Sequence, residues 1–524
     1  MTVQEILAEA LNLHQGGALI EAEKRYQAVL DIEPEQADAL NLLGVLSLQS
    51  RHFQQALDYL QRAINQQAKA EYYNNLGLVY RHMGRLDTAE QQFHRALEIQ
   101  PDHLDSAVNL ATLMHESDRT AVALALLDGL RHQGSEHPQY LFNFANFCIA
   151  SGSFDRAQSS LERLLTLTPR DEAARYNYAM LLKNQGEFEA AALNFKQLFK
   201  SREKGDKARW YYSQCRLLLH DFKEGWRYYP CRFEALKIPE RSVDLPAWQG
   251  EQISGQGLVV RAEQGVGDEL LFASHLPLLL NRCTAIHYEC DERIKPLLER
   301  SYQQVHFFDR RNNAAPAIDN IDASFQCAAG DIIRLCNPEL GAAGLISPLL
   351  QVDPEKASKL ALPDSEKLNI GLSYHSSGSY AAQRMPPRQF WDLLADFKAH
   401  INFVDLQSNQ ARSFSSPSSQ LQQIDHLDLY NDLDGLAALM CNLDYVISID
   451  NAIAHLAGNL GLPTILLLST VHDWRWLGQS QRIPWYPATR MIRQRGQGNW
   501  HEVQTCLHRE IQQILESGDT QGQV

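Results

Sequence analysis

What this sequence of 524 residues lacks is informative before anything it contains. Its nine cysteines form no CxxC pair and no metal-ligand spacing, so they read as reduced core thiols, with neither a zinc site nor a disulfide framework expected. The longest apolar stretches, such as LLFASHLPLLL, fall well short of the ~20 residues that cross a bilayer. The N-terminal MTVQEILAEALNLHQGG is amphipathic and carries glutamates where a secretory signal has a basic start and an unbroken apolar run. Positive charge is scarce: 48 Lys and Arg against 63 Asp and Glu leave a net charge of -15. That balance disfavours nucleic acid and anionic membranes, and confines any phosphate binding to a local pocket. No HExxH, clustered His/Cys set, Walker A loop or serine nucleophile elbow occurs. The expectation is a cytoplasmic protein with no membrane span, no nucleic-acid partner, no metal and no cofactor.

What is present begins with a repeat. Small residues recur at Ala22, Ala56, Ala89, Ala123, Ala157 and Ala191, a spacing of 33 or 34. A second set runs in phase at Ala10, Gly44, Gly77, Ala111, Ala145 and Ala179, and bulky residues follow at Tyr26, Leu60, Phe93, Leu127, Leu161 and Phe195. Paired antiparallel helices need such small residues to approach closely, and Pro34, Pro101 and Pro169 punctuate repeat ends. Period and pattern resemble the tetratricopeptide family over about residues 1–200, the fourth repeat (HESDRTAVALALLDGL) being the least regular. The resemblance implies an α superhelix of six helix pairs over 1–204 whose surface holds a protein partner. Residues 205–255, aromatic and helical at first, then Pro/Gly-containing, read as a helical linker.

From about residue 256 the period changes. Short β-type runs alternate with helical ones: GLVVRAEQ, DELLFASHLPLL, AIHYEC, DERIKPLLE and VHFFD. The alternation restarts after LALPDSEK with LNIGLSY, PPRQFWDLLADF, INFVDLQ, YVISID, NAIAHLAGNLGL and PTILLLS. Two βα units predict two parallel sheets, an α/β GT-B fold of paired Rossmann-like domains at 256–365 and 366–500, with a C-terminal helix and tail at 501–524. Ligands of such a fold sit beyond the carboxyl ends of the strands, in the cleft.

Two motifs fall at such ends. In Arg261-Ala262-Glu263-Gln264-Gly265-Val266-Gly267-Asp268-Glu269 the glycines permit a tight turn and close backbone approach, and Asp268 falls where a carboxylate both caps a helix and faces the cleft. In the second, the strand Tyr445–Ile449 delivers Asp450 and Asn451 to its carboxyl end, and a small-residue helix through His455 and Leu456 begins at once. Free backbone N–H groups and the helix dipole there suit a diphosphate. Asp432-Leu433-Asp434 spells DxD, but precedes a helix at a capping position and is read as a cap. His472-Asp473-Trp474-Arg475-Trp476 and Trp485-Tyr486-Pro487 concentrate aromatics, read as hinge packing ahead of a sugar platform.

The two motifs in this order resemble the ADP-heptose:lipopolysaccharide heptosyltransferases, which carry a GxGD turn and a D-[ST]-G-x-x-H-L-A turn; the likeness spans about 256–500. It implies a metal-independent glycosyltransferase with Asp268 as base and Glu263 beside it as a second candidate catalytic carboxylate. The donor site it implies takes in Gly265, Gly267, Asp450, Asn451, His455 and Leu456, with Tyr374, His375, Ser376 and Arg384 of the loop Tyr374–Ser379 and its continuation, and Gln407 and Ser408 at the next strand end. Arg384, just before Met385-Pro386, takes the place of a phosphate-neutralising cation. Asn451-Ala452 stands where the family has Ser/Thr-Gly, so side-chain phosphate contacts there do not carry over. Repeats fused to such a domain are also similar to bacterial flagellin glycosyltransferases. That likeness implies a nucleotide sugar as donor, a nonulosonic acid on CMP among the possibilities, and a Ser or Thr of a protein such as flagellin as acceptor. A non-catalytic nucleotide-sugar-sensing scaffold and a glycolipid-directed heptosyltransferase are the alternatives.

Overall fold

The computed structural model describes residues 2–238, 245–310, 322–339, 350–362, 366–376, 381–408, 421–478, 480 and 483–517. It divides into two compact units, Met1–Leu181 and Leu182–Val524. No helix among the described residues is long and apolar enough to cross a membrane.

The first unit is a stack of antiparallel helix pairs. Val3–Gln15 pairs with Leu19–Ile32, Ala37–Gln49 with Phe53–Gln66, Ala70–His82 with Leu86–Ile99, Leu104–Glu116 with Thr120–Asp128, and Pro138–Ala150 with Phe154–Leu167. The reason is the periodic small residues. Ala10, Ala22, Ala56, Ala89, Ala111, Ala123, Ala145 and Ala157 are fully buried, as are Tyr26, Leu60, Phe93, Leu127 and Leu161. Each bulky side chain stabilises its pair by about 1.5–3 kcal/mol on leaving water. A Cβ on Gly44 would lie 2.6 Å from Leu60 Cγ, and one on Gly77 would lie 2.5 Å from Phe93 Cε1. The turn inside each pair holds one left-handed residue: Gly17, Arg51, Gly84, Asp118 and Gly152. The irregular fourth repeat has a second helix of only nine residues, followed by the single turn Arg131–Gly134.

A second periodic signal links one pair to the next. The amide of Asn75 donates to Asn41 Oδ1 (2.9 Å), that of Asn109 to Asn74 Oδ1 (2.9 Å) and that of Asn177 to Asn146 Oδ1 (2.8 Å). Asparagine disfavours helix interiors because its side chain competes for backbone partners, and these cross-repeat bonds give it a different one.

The second unit opens with helices Phe188–Gln197, Gly205–Leu218, Phe222–Tyr228 and Arg232–Leu236. They bury Trp210, Tyr212, Trp226 and Tyr229. Two all-parallel sheets follow. In the first, strands β1 (Ile253–Arg261), β2 (Cys283–Cys290), β3 (Val305–Asp309) and β4 (Phe325–Ala328) run in the order β3-β2-β1-β4. In the second, β5 (Leu368–Ser373), β6 (Ile401–Asp405), β7 (Tyr445–Ile449), β8 (Thr464–Leu468) and β9 (Thr489–Arg493) run β6-β5-β7-β8-β9. The apolar runs of β7 and β8 are those of strands covered on both faces. One cover is the amphipathic helix His501–Ser517, whose Val503, Leu507 and Ile511 join Phe390, Trp391 and Leu394. The strand order reverses between β1 and β4 in one sheet and between β5 and β7 in the other, and such reversals open a crevice at the carboxyl ends.

The cysteines do not all lie in cores. Cys148, Cys215, Cys283, Cys290, Cys327 and Cys336 are buried, but Cys441, just past the end of helix Leu433–Met440, and Cys506, outside the buried Val503, Leu507 and Ile511 stripe of helix His501–Ser517, are exposed.

Gly77→Ala should destabilise the repeat unit by about 1–3 kcal/mol through overpacking against Phe93. Gly129→Ala, whose Cβ meets only carbonyl oxygens at 3.5 Å and 4.0 Å, should stay within about 0.5 kcal/mol of wild type in the same urea titration.

Candidate functional site

Both reversal points bring their loops to one cavity of about 700 Å³, within the range of small-ligand sites. From β1 come Gln264, Gly265, Gly267 and Asp268; from beyond β2, Arg293; from β5, His375 and Ser376, and further on Arg384. The β6 end gives Gln407 and Ser408, β7 gives Asp450 and Asn451, and the segment after β8 gives Asp473 and Arg475.

The local fold explains each placement. Ser373 pairs with Ser448 in register, so the loops after β5 and β7 leave their sheet side by side; Ser376 Oγ donates to the Asp450 carbonyl at 3.2 Å. Gln407 donates to Ser373 Oγ at 2.7 Å and Asn451 donates to the same oxygen at 2.7 Å, which ties three strand ends together. Helices Val266–Ala273 and Ala452–Asn459 approach N-terminus to N-terminus. A Cβ on Gly267 would stand 3.1 Å from His455 Cδ2 and 3.2 Å from Ala452 Cα, so glycine is needed at this crossing. Asn459 donates across the seam to the Leu270 carbonyl at 3.2 Å. Two positive helix ends therefore face one space.

The charges form one chain. Asp268 Oδ2 accepts the Gly265 N–H at 2.9 Å, and its other oxygen pairs with Arg475. Arg475 also pairs with Asp473 and donates to Gln264 Oε1 at 2.7 Å. The Asp473 N–H reaches Asp450 Oδ2 at 3.3 Å, and Arg384 Nη1 meets that same oxygen at 3.1 Å. Trp476 Nε1 donates to Asp450 Oδ1 at 2.6 Å. Burial holds the Asp268 carboxyl above the ordinary aspartate range, with Arg475 opposing. Burial acts on Asp473 in the same sense but is outweighed by Arg475 and Arg384, so its carboxyl lies low. His455 bonds Tyr486 Oη at 3.1 Å and stacks on Trp476; burial drives it down to about 3, so the ring is neutral.

Eleven of the fourteen sequence-derived site residues line the cavity: Gly265, Gly267, Asp268, His375, Ser376, Arg384, Gln407, Ser408, Asp450, Asn451 and His455. Glu263, Tyr374 and Leu456 do not. Glu263 is buried in a two-pronged pair with Arg232 (2.8 Å at both oxygens) and accepts the Gly330 N–H at 2.7 Å, which turns its carboxylate away from the cleft. Tyr374 belongs to the apolar cluster under the second sheet and its hydroxyl donates to Asp405 at 3.3 Å. Leu456 is 1 % exposed, on the core side of its helix. Ser377, Gly378 and Ser379 lie outside the described residues.

One expectation is corrected. The N–H groups of Ile453 and Ala454 are not free for phosphate: Asn451 Oδ1 accepts both, at 3.0 and 3.4 Å, as an N-cap. The aspartates of the DxD are otherwise employed, Asp432 capping helix Leu433–Met440 and Asp434 pairing with Arg300 and Lys356. Arg475 and Asp473 were missed as site residues. The signal was an arginine between two tryptophans in Trp474-Arg475-Trp476, since a charge enclosed by aromatics demands partners. Trp474 itself packs edge-on to Trp226 and Tyr229, in the helical segment that precedes β1.

Comparison with known proteins adds two findings. Tetratricopeptide repeat profiles match residues 7–72, 68–128 and 149–198, so the N-terminal region is a tetratricopeptide superhelix. Protein FlbA of Caulobacter vibrioides is 27 % identical over 458 residues, 81 % of this chain and 76 % of that protein. A match of that extent reaches well beyond Leu181 into the α/β region. Tetratricopeptide repeat-containing protein trd-1 of Caenorhabditis elegans is 26 % identical over 159 residues, 30 % of this chain and 21 % of its own. The solved structure of Pseudomonas aeruginosa pilF is 18 % identical and covers 38 % of this chain and 92 % of its own, with a TM-score of 0.35.

Arg232→Met should cost about 3–5 kcal/mol, because it strands the buried carboxylate of Glu263; equilibrium denaturation measures it. The second unit should also lose stability as pH falls below the ordinary histidine value of 6.5. His455 (about 3), His275 (about 4) and His472 (about 4) stay neutral when folded while the unfolded chain takes up protons. Thermal unfolding between pH 7 and pH 4 should show the decline, shallower in His455→Phe.

Proposed function

We propose that this protein is a glycosyltransferase that moves a sugar from a nucleotide-sugar donor to a Ser or Thr hydroxyl of a protein acceptor bound by the tetratricopeptide repeats. The observation that carries the reading is the convergence of strand-end loops from two parallel sheets on one cavity that holds a carboxylate, Asp268, opposite two arginines, Arg384 and Arg475. Glycosyl transfer by direct displacement asks for these parts: a base for the acceptor hydroxyl and cations for the phosphate that leaves. On this reading residues 1–204 select the acceptor, 205–255 link, and 256–365 and 366–500 are the two Rossmann-like halves of the donor cleft, with 501–524 trailing. Gln407 and Ser408 face the base or ribose, and His375 and Ser376 the phosphates. Flagellin as acceptor and a CMP-linked nonulosonic acid as donor are what the likeness of the repeat-plus-transferase architecture to the flagellin transferases implies.

A second reading has its own support. Each arginine at the cavity is already paired with a carboxylate, as suits a domain that senses a nucleotide sugar without turning it over. A panel of CDP-, UDP-, GDP-, ADP- and CMP-sugars separates the two, because only an enzyme releases nucleotide with time. Intact-mass analysis of flagellin and other proteins, with and without the gene, names sugar and acceptor together. Transfer to a lipid core alone would turn the reading toward a glycolipid acceptor.

Asp268→Asn should lower turnover by about 10²–10⁴-fold with folding unchanged, and full activity in this variant removes Asp268 from the role of base. Arg384→Ala should raise the donor KM.

A further inference from the structure

Arg475 is the least expected member of the cavity. Its side chain is only 6 % exposed, yet it touches the cleft from the second sheet and reaches Asp268, which belongs to the first. Its partners among the described residues are two carboxylates and the Gln264 amide oxygen, while its Nε–H, also buried, meets no acceptor among them. A guanidinium presents five N–H donors in a fixed fork, and the fork matches phosphate as well as it matches carboxylate. A buried donor with no partner is costly, so this edge is suited to an acceptor that arrives with a ligand. Gln264, which holds the fork from the first sheet, has a left-handed backbone (φ 64°), a conformation a non-glycine residue keeps only where its surroundings impose it.

Building on the reading of this cleft as a sugar-nucleotide site, we propose that Arg475 couples donor binding to release of the base. A phosphate oxygen of the donor takes the guanidinium edge that Asp268 occupies in the free protein, and the carboxylate, still anchored by the Gly265 N–H, is left to face the acceptor. In the transfer step the acceptor hydroxyl oxygen bonds to the anomeric carbon as the bond from that carbon to the donor phosphate oxygen breaks. The hydroxyl proton passes to Asp268. The electron pair of the broken bond stays on the phosphate, whose charge Arg475 and Arg384 meet. Arg475 is thus a phosphate-binding residue that positions the base indirectly, and Asp268 is the donor's competitor until the donor arrives.

Competition has a signature that a merely structural ion pair lacks: the two partners' variants change nucleotide affinity in opposite directions. Isothermal titration of the full-length protein with UDP, GDP, ADP, CDP and CMP identifies the nucleotide that wild type binds. Asp268→Asn, which keeps an oxygen for the Gly265 N–H, should bind that nucleotide about fivefold tighter or more, because a neutral amide competes weakly for the guanidinium. Arg475→Met should bind it about tenfold more weakly or worse, and Arg475→Lys should recover part of the loss. Equal or weaker binding by Asp268→Asn overturns the proposal, as does wild-type affinity in Arg475→Met. Should Arg475→Met fail to fold, Asp268→Asn decides alone. A wild type that binds none of the five nucleotides overturns both the sugar-nucleotide reading and the coupling. A wild type that binds one of them, with unchanged affinity in Asp268→Asn, overturns the coupling only.

Discussion

The cavity depends on one run of charges, Asp268–Arg475–Asp473 joined through the Asp473 amide to Asp450–Arg384. Three carboxylates and two guanidiniums take part, the farthest of them, Asp268 and Arg475, lying more than two hundred positions apart in the chain. Any one of them alone would be expensive to enclose, since an isolated buried charge gives up far more hydration than packing returns. Held together they are mutually necessary, and the strand-end loops must stand where they do for the run to close. The hydrogen bonds around it, Trp476 to Asp450 and Gly265 to Asp268, fix the outer oxygens and leave the inner ones to the arginines.

Helices carry the second constraint. The N-termini of Val266–Ala273 and Ala452–Asn459 meet at Gly267, so the floor of the cavity is made by two positive dipole ends in van der Waals contact. Like ends repel, and the capping carboxylate of Asp268 and the capping amide of Asn451 offset this at the point of approach. Capping and site chemistry thus draw on the same two side chains.

The repeat half was legible in its small and bulky positions, because a spacing of 33 or 34 has one physical cause and Ala10, Ala22, Ala56, Ala89, Ala111, Ala123, Ala145 and Ala157, which keep it, are all buried. The two sheets were legible from alternation of apolar runs, and eleven site residues from their position at strand ends. Glu263 read as a site residue because chain neighbours share a loop, whereas Glu263, two residues past β1, turns inward to Arg232 and Asp268, in the first turn of the next helix, faces the cavity. Arg232 lies 31 positions away and carries no motif, so no local signal shows that pairing. Arg475 escaped for the same reason in reverse: its partners come from two sheets, and only the folded chain sets them side by side.

In the repeats the small residue and the bulky one of the same repeat are 16 positions apart: Ala10 and Tyr26, Gly44 and Leu60, Gly77 and Phe93, Ala111 and Leu127, Ala145 and Leu161. At Gly44 and Gly77 an added Cβ would collide with Leu60 and Phe93, so the space beneath those side chains is used up. Each couple therefore specifies a single volume divided between two positions. Couples can be exchanged whole between repeats, whereas a change to one member asks for a matching change in the other, so drift in this array proceeds by pairs.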